Sequence, residues 1–393
     1  MFYDNSKYLK VSHIRNSSDS SFLSFIYDDL IASTEVTRTP NATLTPDDLL
    51  YDRIPNVAQS IAFCENFSFS GMHHIFDQHK DSVNSIKFAN NDKSLIAMCS
   101  SDGTLSLCQL TPSPATILFI LRGHKAAITD FEWSHSNELI VSCSMDATLR
   151  LWSTTTGICL RILKDPENVS IWTCAFHPNN NNMMVTGNSI GTLNIFNLST
   201  GIYSKNAVSV CEGQIYSMCF RSGGNLLVCG DSKGYISTFR FEMENARLVI
   251  VNKVIIVAGC AITSLSTLCQ KEEDFLLVNT ACNAVVLFSC PLKHANKLEF
   301  IKSFPIKHQN PNLVIKSSFC PNSAENKDIC IVTGSEDTCI YFYAFNGNNK
   351  NRCVNKLQGH SAPVLDVCFN FEESLFASAD SKGNIIVWKR ESL

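Results

Sequence analysis

Along most of the chain, apolar and polar residues alternate in short runs. Stretches such as "VNSIKFA", "LIAMCSS" and "TLSLCQL" place Val, Ile, Leu, Phe and Cys at strand spacing, with Gly, Asn, Asp and Ser turns between them. The same unit returns as "GHKAAITDFEW…LIVSCSMDATLRLWST" and again as "GHSAPVLDVCF…LFASADSKGNIIVWKR". Counted at the turn before the last strand of each unit, the repeat passes through Asp102, Asp146, Ile190, Lys233, Cys282, Asp337 and Lys382, with spacings of 44, 44, 43, 49, 55 and 45 residues. Such units cannot bury their faces singly, so seven sheets stacked side by side are expected, each completed by a fourth strand leading into the next. The last unit reaches Leu393 without a fourth strand. Residues from about Phe67 to Phe76, "FSFSGMHHIF", are expected to supply it, which would remove an open sheet edge.

A period of about 40 to 45 residues, with His early and an Asp turn and Trp late, resembles the WD-repeat family. The resemblance implies an all-β, seven-bladed WD40 β-propeller closed by an N-terminal strand. It also implies a hydrogen-bonded tetrad of His, Ser or Thr, Asp and Trp tying the strands of a blade together. The second unit is complete, with His124, Ser142 or Ser144, Asp146 and Trp152. Others are degraded. The first has His79 and Asp102 but Cys108 in the Trp place; the sixth has Asp337 and Tyr343; the seventh has His360, Ser378 and Trp388, with Lys382 where Asp is expected. Regular recurrence assigns these His and Asp residues to structure rather than to catalysis.

Several stretches resemble more narrowly the WD repeat-containing protein 13 family: "HIFDQH" (74–79), "CSSDGTLSLCQL" (99–110), "VTGSEDTCIYFY" (332–343) and "VNKLQGHSAPVLDVCFN" (354–370). This resemblance implies a nuclear, non-enzymatic protein associated with transcriptional co-regulators, including histone deacetylases and nuclear receptors. No run of five to eight Lys and Arg supports nuclear entry independently. The alternative location is the cytoplasm.

Composition narrows the remaining classes. With 32 basic and 36 acidic residues the formal charge is -4, which gives no electrostatic reason to expect direct nucleic-acid or anionic-membrane binding. The 18 cysteines scatter through apolar runs, with no C-x-x-C pair and no His-x3-His, so buried thiols in a reducing compartment are expected and neither a metal nor a redox pair is. The apolar stretch 248–268 carries Asn252, Lys253 and Gly259 and reads as two strands, not a membrane span. No phosphate-binding glycine loop, nucleophile elbow or H-E-x-x-H motif is present, so no enzyme and no cofactor are expected.

In the family the innermost strand of each blade lines a central channel. Aligned on a shared aromatic, including Phe88, Trp133, Phe176, Phe220, Phe319 and Phe369, the inner strands bring one variable position to Asn84, Thr129, Trp172, Tyr216, Ile315 and Leu365, with Thr263 the fifth-blade member. Trp172, Tyr216, Ile315 and Leu365 make this mouth apolar on one side, fit for a peptide side chain; packing between blades is the competing reading of the two aromatics. Lys80, Lys125, Met145, Glu336 and Ser361 are candidate rim residues.

Two parts are expected: an N-terminal extension, 1–56, and the propeller, 57–393. The extension is rich in Ser, Thr, Asn and Pro, with a short helix at about 46–53 and Thr-Pro steps at Thr39 and Thr45 as candidate phosphorylation sites. Among scaffold roles, a cullin-type ubiquitin-ligase receptor is the first alternative, although W-D-x-R is missing because Trp152 precedes Ser153 and Trp388 precedes Lys389. A structural subunit of a cytoplasmic complex is the second.

Overall fold

The computed structural model describes residues 69–204, 209–221, 223–270, 273–291, 297–310, 312–320, 329–345 and 352–390. The extension 1–56, the helix expected at 46–53, Thr39 and Thr45, and the start of the closing segment at Phe67 lie outside them.

Among the described residues there are strands and no helix. They form seven antiparallel sheets, each a meander running from an inner to an outer strand. Blades one to six span 83–122, 128–164, 171–210, 215–255, 262–305 and 317–358. In blade three the outer position is shared by two short strands, Ile202–Tyr203 and Ser209–Val210, both paired with Thr192–Asn197. Blade seven takes three strands from 364–390 and its outer strand, Phe69–Phe76, from the other end of the chain. Phe69 pairs with Arg390 and Phe76 with Ile385, so the ring is closed by the N-terminal strand as the sequence predicts. The 248–268 stretch is divided between the outer strand Arg247–Ile255 and the inner strand Ile262–Gln270 of the next blade.

The turn count has a backbone cause. The residue after each counted position has positive φ: Gly103, Ala147, Gly191, Gly234, Asn283, Thr338 and Gly383, at 79°, 62°, 86°, 88°, 62°, 68° and 95°. One left-handed residue closes each hairpin between the second and third strands, and Gly supplies it at least steric expense in four of the seven. Gly234 could not be otherwise, because a Cβ there would sit 1.9 Å from the Val257 carbonyl oxygen.

Blades pack face to face through seven apolar clusters, one at each blade interface. Their Cys residues fill small buried gaps, as in Cys99, Cys143, Cys229 and Cys330. One pair departs from the expectation of free thiols: Cys260, just before the inner strand of blade five, and Cys282, in its second hairpin, are joined as a disulfide with Cα atoms 6.1 Å apart. Sequence spacing gave no sign of it, since 22 residues separate the two.

Candidate interaction site at the channel mouth

The tetrad geometry fixes where the mouth stands. In blade two, the Trp152 indole N–H donates to Ser142 Oγ (2.9 Å), Ser142 lies 2.8 Å from His124 Nε2, and His124 Nδ1 donates to Asp146 Oδ2 (3.0 Å). Ser142 is therefore the tetrad member. Ser144 instead braces the turn, accepting from the Asp146 amide and donating to the Ala126 carbonyl. Burial lowers the His124 pKa, with Asp146 opposing, so the ring is neutral at neutral pH. Burial alone would raise the Asp146 carboxyl, but hydrogen bonds from Thr148, the Lys125 amide and His124 outweigh it and hold it at about 2.

Blade seven corrects the sequence reading. Its chain runs from Trp388 to Ser378 (2.8 Å), from Ser378 to His360 Nε2 (2.7 Å), and from His360 Nδ1 to Asp380 Oδ2 (3.0 Å). The carboxylate is not lost to Lys382. It has moved two residues back to the strand end, where Asp380 also accepts the Lys382 and Asn384 amides of the turn. In blade one His79 keeps Asp102 at 3.2 Å, but Met98 occupies the Ser142-equivalent place and Cys108 that of Trp152, and among the described residues His79 Nε2 is left buried without a partner. Blade three has no His in the loop before its inner strand; there Asp165 accepts from Asn194 (3.1 Å).

The variable inner-strand positions lie at β-bulges. The pairing register shifts around Asn84, Thr129, Trp172, Tyr216, Thr263 and Leu365, leaving each of them as the extra residue. The polar members are consumed in stitching blade to blade: Asn84 donates to the Ile128 carbonyl (2.7 Å), Thr129 to that of Ile171 (2.8 Å) and Thr263 to that of Ile315 (2.9 Å). Trp172 and Tyr216 make no such bond. Their rings meet edge to face at 5.1 Å and 83°, and the Tyr216 hydroxyl turns to Gln214 Oε1 (3.1 Å). Among the described residues the Trp172 indole N–H is buried without a hydrogen-bond partner. Both side chains are half-buried, so they pack on each other and still present surface.

Trp172, Tyr216 and Leu365 line a cavity of about 360 Å³ formed by all seven inner strands. Leu365 is buried and belongs to its wall. Ile315 is fully buried and is not among the lining residues: the inner strand of blade six begins only at Ser317. Of the rim candidates, Met145 lines the cavity. Glu336 is occupied by the Gln309 and Asn310 amides, and the Lys80 and Lys125 amides serve Asp102 and Asp146. Residues 312–314, on the loop into blade six, border the cavity without having been singled out in the sequence.

One residue further along, the channel wall carries Asp130, Thr173, Ser217, Ser264, Lys316 and Asp366, while Ser85, at the same position of blade one, is fully buried and does not line the cavity. Asp130 receives Lys87 at 3.2 Å and Lys316 at 3.5 Å, and its other oxygen accepts from Thr173 (3.0 Å). Lys316 also stands 3.8 Å from Asp366. Burial opposes every one of these charges. At Asp130 the two lysines prevail and hold the carboxyl at about 2; at Lys87 the carboxylates Asp130 and Glu132 prevail and raise the ammonium pKa. Asp366 is the exception, pushed up by burial with only partial relief from Lys316. Beyond these residues lies a second cavity of about 590 Å³; Lys87, Met218, Leu265 and Ser266 border both.

This geometry suits recognition. Among the described residues no group of three His, Cys, Asp or Glu stands together to hold a metal. The family described as WD domain, G-beta repeat, matches residues 71–108, 115–153 and 351–389. The chain is 25% identical over 326 residues to a serine-threonine kinase receptor-associated protein of Dictyostelium discoideum, covering 79% of this chain and 96% of that one. It is 27% identical over 130 residues to WD repeat, SAM and U-box domain-containing protein 1 of Danio rerio, and 29% identical over 163 residues to jouberin of Rattus norvegicus. The alignments cover 26% and 15% of those two longer proteins.

Proposed function

We propose that this chain, a seven-bladed propeller carrying WD40 repeats, is a non-catalytic protein-interaction scaffold whose channel mouth receives a linear peptide at Trp172 and Tyr216. The observation that carries the reading is the contrast at one strand position. The polar residues there are spent on the next blade, while the two aromatics stay half-exposed over a cavity of about 360 Å³. Trp and Tyr offer large rigid apolar area with a polar handle, which is the chemistry of an anchor pocket. The unpartnered Trp172 N–H is a donor that a peptide carbonyl can satisfy once the ring shifts outward.

The partners are placed among nuclear transcriptional co-regulators, histone deacetylases and nuclear receptors included, on the resemblance to the WD repeat-containing protein 13 family alone. A cullin-type ligase receptor is the competing assignment, weakened by Ser153 and Lys389 after the two blade tryptophans. Proximity labelling with a tagged full-length chain in cells separates them. Labelling of histone deacetylases or nuclear receptors in the nuclear fraction supports the co-regulator assignment; labelling dominated by ligase subunits, or a chain confined to the cytoplasm, overturns it.

A further inference from the structure

The outermost strands of blades one and two carry three large exposed apolar side chains each, counting Ile158 at the start of the second, where those of blades three, four and seven carry one or two. In blade two every second residue from Ile158 to Lys164 is exposed, with Ile158 60%, Leu160 55% and Ile162 50% accessible. In blade one Ile117, Leu118 and Ile120 are exposed as well. The outer strand of blade five, Glu299–Pro305, is by contrast half-buried or buried up to Phe304. The two exposed strands adjoin: the Phe119 ring of blade one lies so close to Gly157 that a Cβ there would be 2.6 Å from it. Among the described residues each strand ends its sheet, so its outer N–H and C=O groups face no further strand there. Natural edges are commonly blunted by charge or bulges, because a long apolar edge invites another strand.

Charge decides what kind of strand. No Asp or Glu occurs between Asp102 and Asp130, or between Asp146 and Asp165, and those intervals hold Arg122, Lys125, Arg150, Arg161 and Lys164. Arg122, Lys125 and Lys164 are exposed and Arg161 is half-buried, while Arg150 lies over the Trp152 ring with its Nε buried, so four of the five place positive charge beside a row of exposed Ile and Leu.

We infer that the outer edge of blade two, Cys159–Lys164, widened by Thr116–Arg122 of blade one, is a docking site for an extended acidic segment of a partner protein that adds to the sheet as a further strand. Backbone hydrogen bonds to the free edge hold such a segment, alternate apolar side chains cover Ile158, Leu160 and Ile162, and its carboxylates meet Arg161, Lys164 and Arg122. A protein strand fits better than an anionic membrane, since lipid cannot pair with the edge N–H and C=O groups. The site is distant in role from the channel mouth and does not depend on it.

Fluorescence anisotropy with a labelled synthetic peptide alternating Glu and Val tests this on the full chain, with a Lys–Val peptide and phosphatidylserine vesicles as comparisons. The Glu–Val peptide is expected to bind, the Lys–Val peptide not, and Arg122→Glu with Lys164→Glu to weaken binding at least about tenfold. Leu160→Ser with Ile162→Ser, at exposed positions that leave the melting temperature in place, is expected to weaken it as well. Trp172→Ala with Tyr216→Ala is expected to leave it intact. Absence of Glu–Val binding, equal binding by the Lys–Val peptide, insensitivity to both edge variants, loss in the Trp172, Tyr216 variant, or binding of vesicles without the peptide would each overturn the inference.

Discussion

Lys316 Nζ, on the loop into blade six, lies 3.5 Å from Asp130 Oδ1 on the inner strand of blade two, an ion pair that spans the channel between residues 186 apart in sequence. Asp130 also takes Lys87 of blade one, and Lys316 approaches Asp366 of blade seven. Four blades are thus tied together by buried charge at the level just beneath the mouth. The walls of the mouth cavity are held at a fixed spacing by a network that requires the ring to be closed.

Removing one partner from such a network leaves the others buried and uncompensated. Asp130→Ala is expected to destabilise the fold by about 3–5 kcal/mol, and Lys316→Met by less, because Met replaces the buried stem and Asp130 keeps Lys87. Urea denaturation of both single variants and the double variant gives the coupling; additive effects would show that the pair across the channel contributes nothing of its own.

The tetrad of blade seven makes a sharp comparison between neighbouring residues. Asp380→Ala strips His360 of its acceptor and is expected to cost about 1–3 kcal/mol. Lys382→Ala, at the place where the repeat pattern puts the carboxylate, is expected to stay within about 0.5 kcal/mol. Thermal melts of the two variants check this, and the reverse ranking would contradict the hydrogen-bond assignment.

The closing strand depends on Phe69, buried against Phe342, Phe369 and Phe376 with ring centroids 5.7–6.1 Å away. Phe69→Ala is expected to cost about 3–5 kcal/mol, and faster proteolysis near 69–76 is its expected accompaniment. A variant as stable as the wild type would mean that the ring does not rely on this strand.

Acid sensitivity follows from the buried imidazoles. Burial lowers the pKa of His79, His124 and His308 below the ordinary 6.5, so each favours the folded state while neutral. For a group depressed on folding, that contribution is complete above the unfolded value and is lost as pH falls toward the folded one. The melting temperature is therefore expected to be level above about pH 7 and to fall below about 6.5, and more steeply below about 4 as Asp130 and Asp146 are drawn toward protonation. A melting temperature unchanged down to about pH 5 would contradict the assignment of neutral buried His.

Much of the fold was legible because its cause is local. One left-handed residue per hairpin recurs at 103, 147, 191, 234, 283, 338 and 383, and the turn residue before it carries the period. The closing strand was legible from the pattern of "FSFSGMHHIF" and the incomplete last unit. Asp380 was missed because a carboxylate can reach the same imidazole from the strand end as from the turn, a shift the repeat spacing hides. Ile315 was aligned correctly by its aromatic, yet no strand pairing reaches it, and it is buried instead of facing the channel. The ionic network had a signal that was passed over: the position after the mouth residue reads Ser, Asp, Thr, Ser, Ser, Lys, Asp around the seven blades, and its two Asp and one Lys in apolar surroundings mark charges that must pair when buried, as Asp130, Lys316 and Asp366 do.

The central claim is that Trp172 and Tyr216 form the partner-binding mouth, and affinity capture from cells with the Trp172→Ala, Tyr216→Ala variant beside the wild type tests it most directly. With both proteins melting at the same temperature, the account predicts that partners recovered with the wild type are lost from the variant. Undiminished recovery would show that the aromatic pair merely packs blade three against blade four, and that partners bind elsewhere.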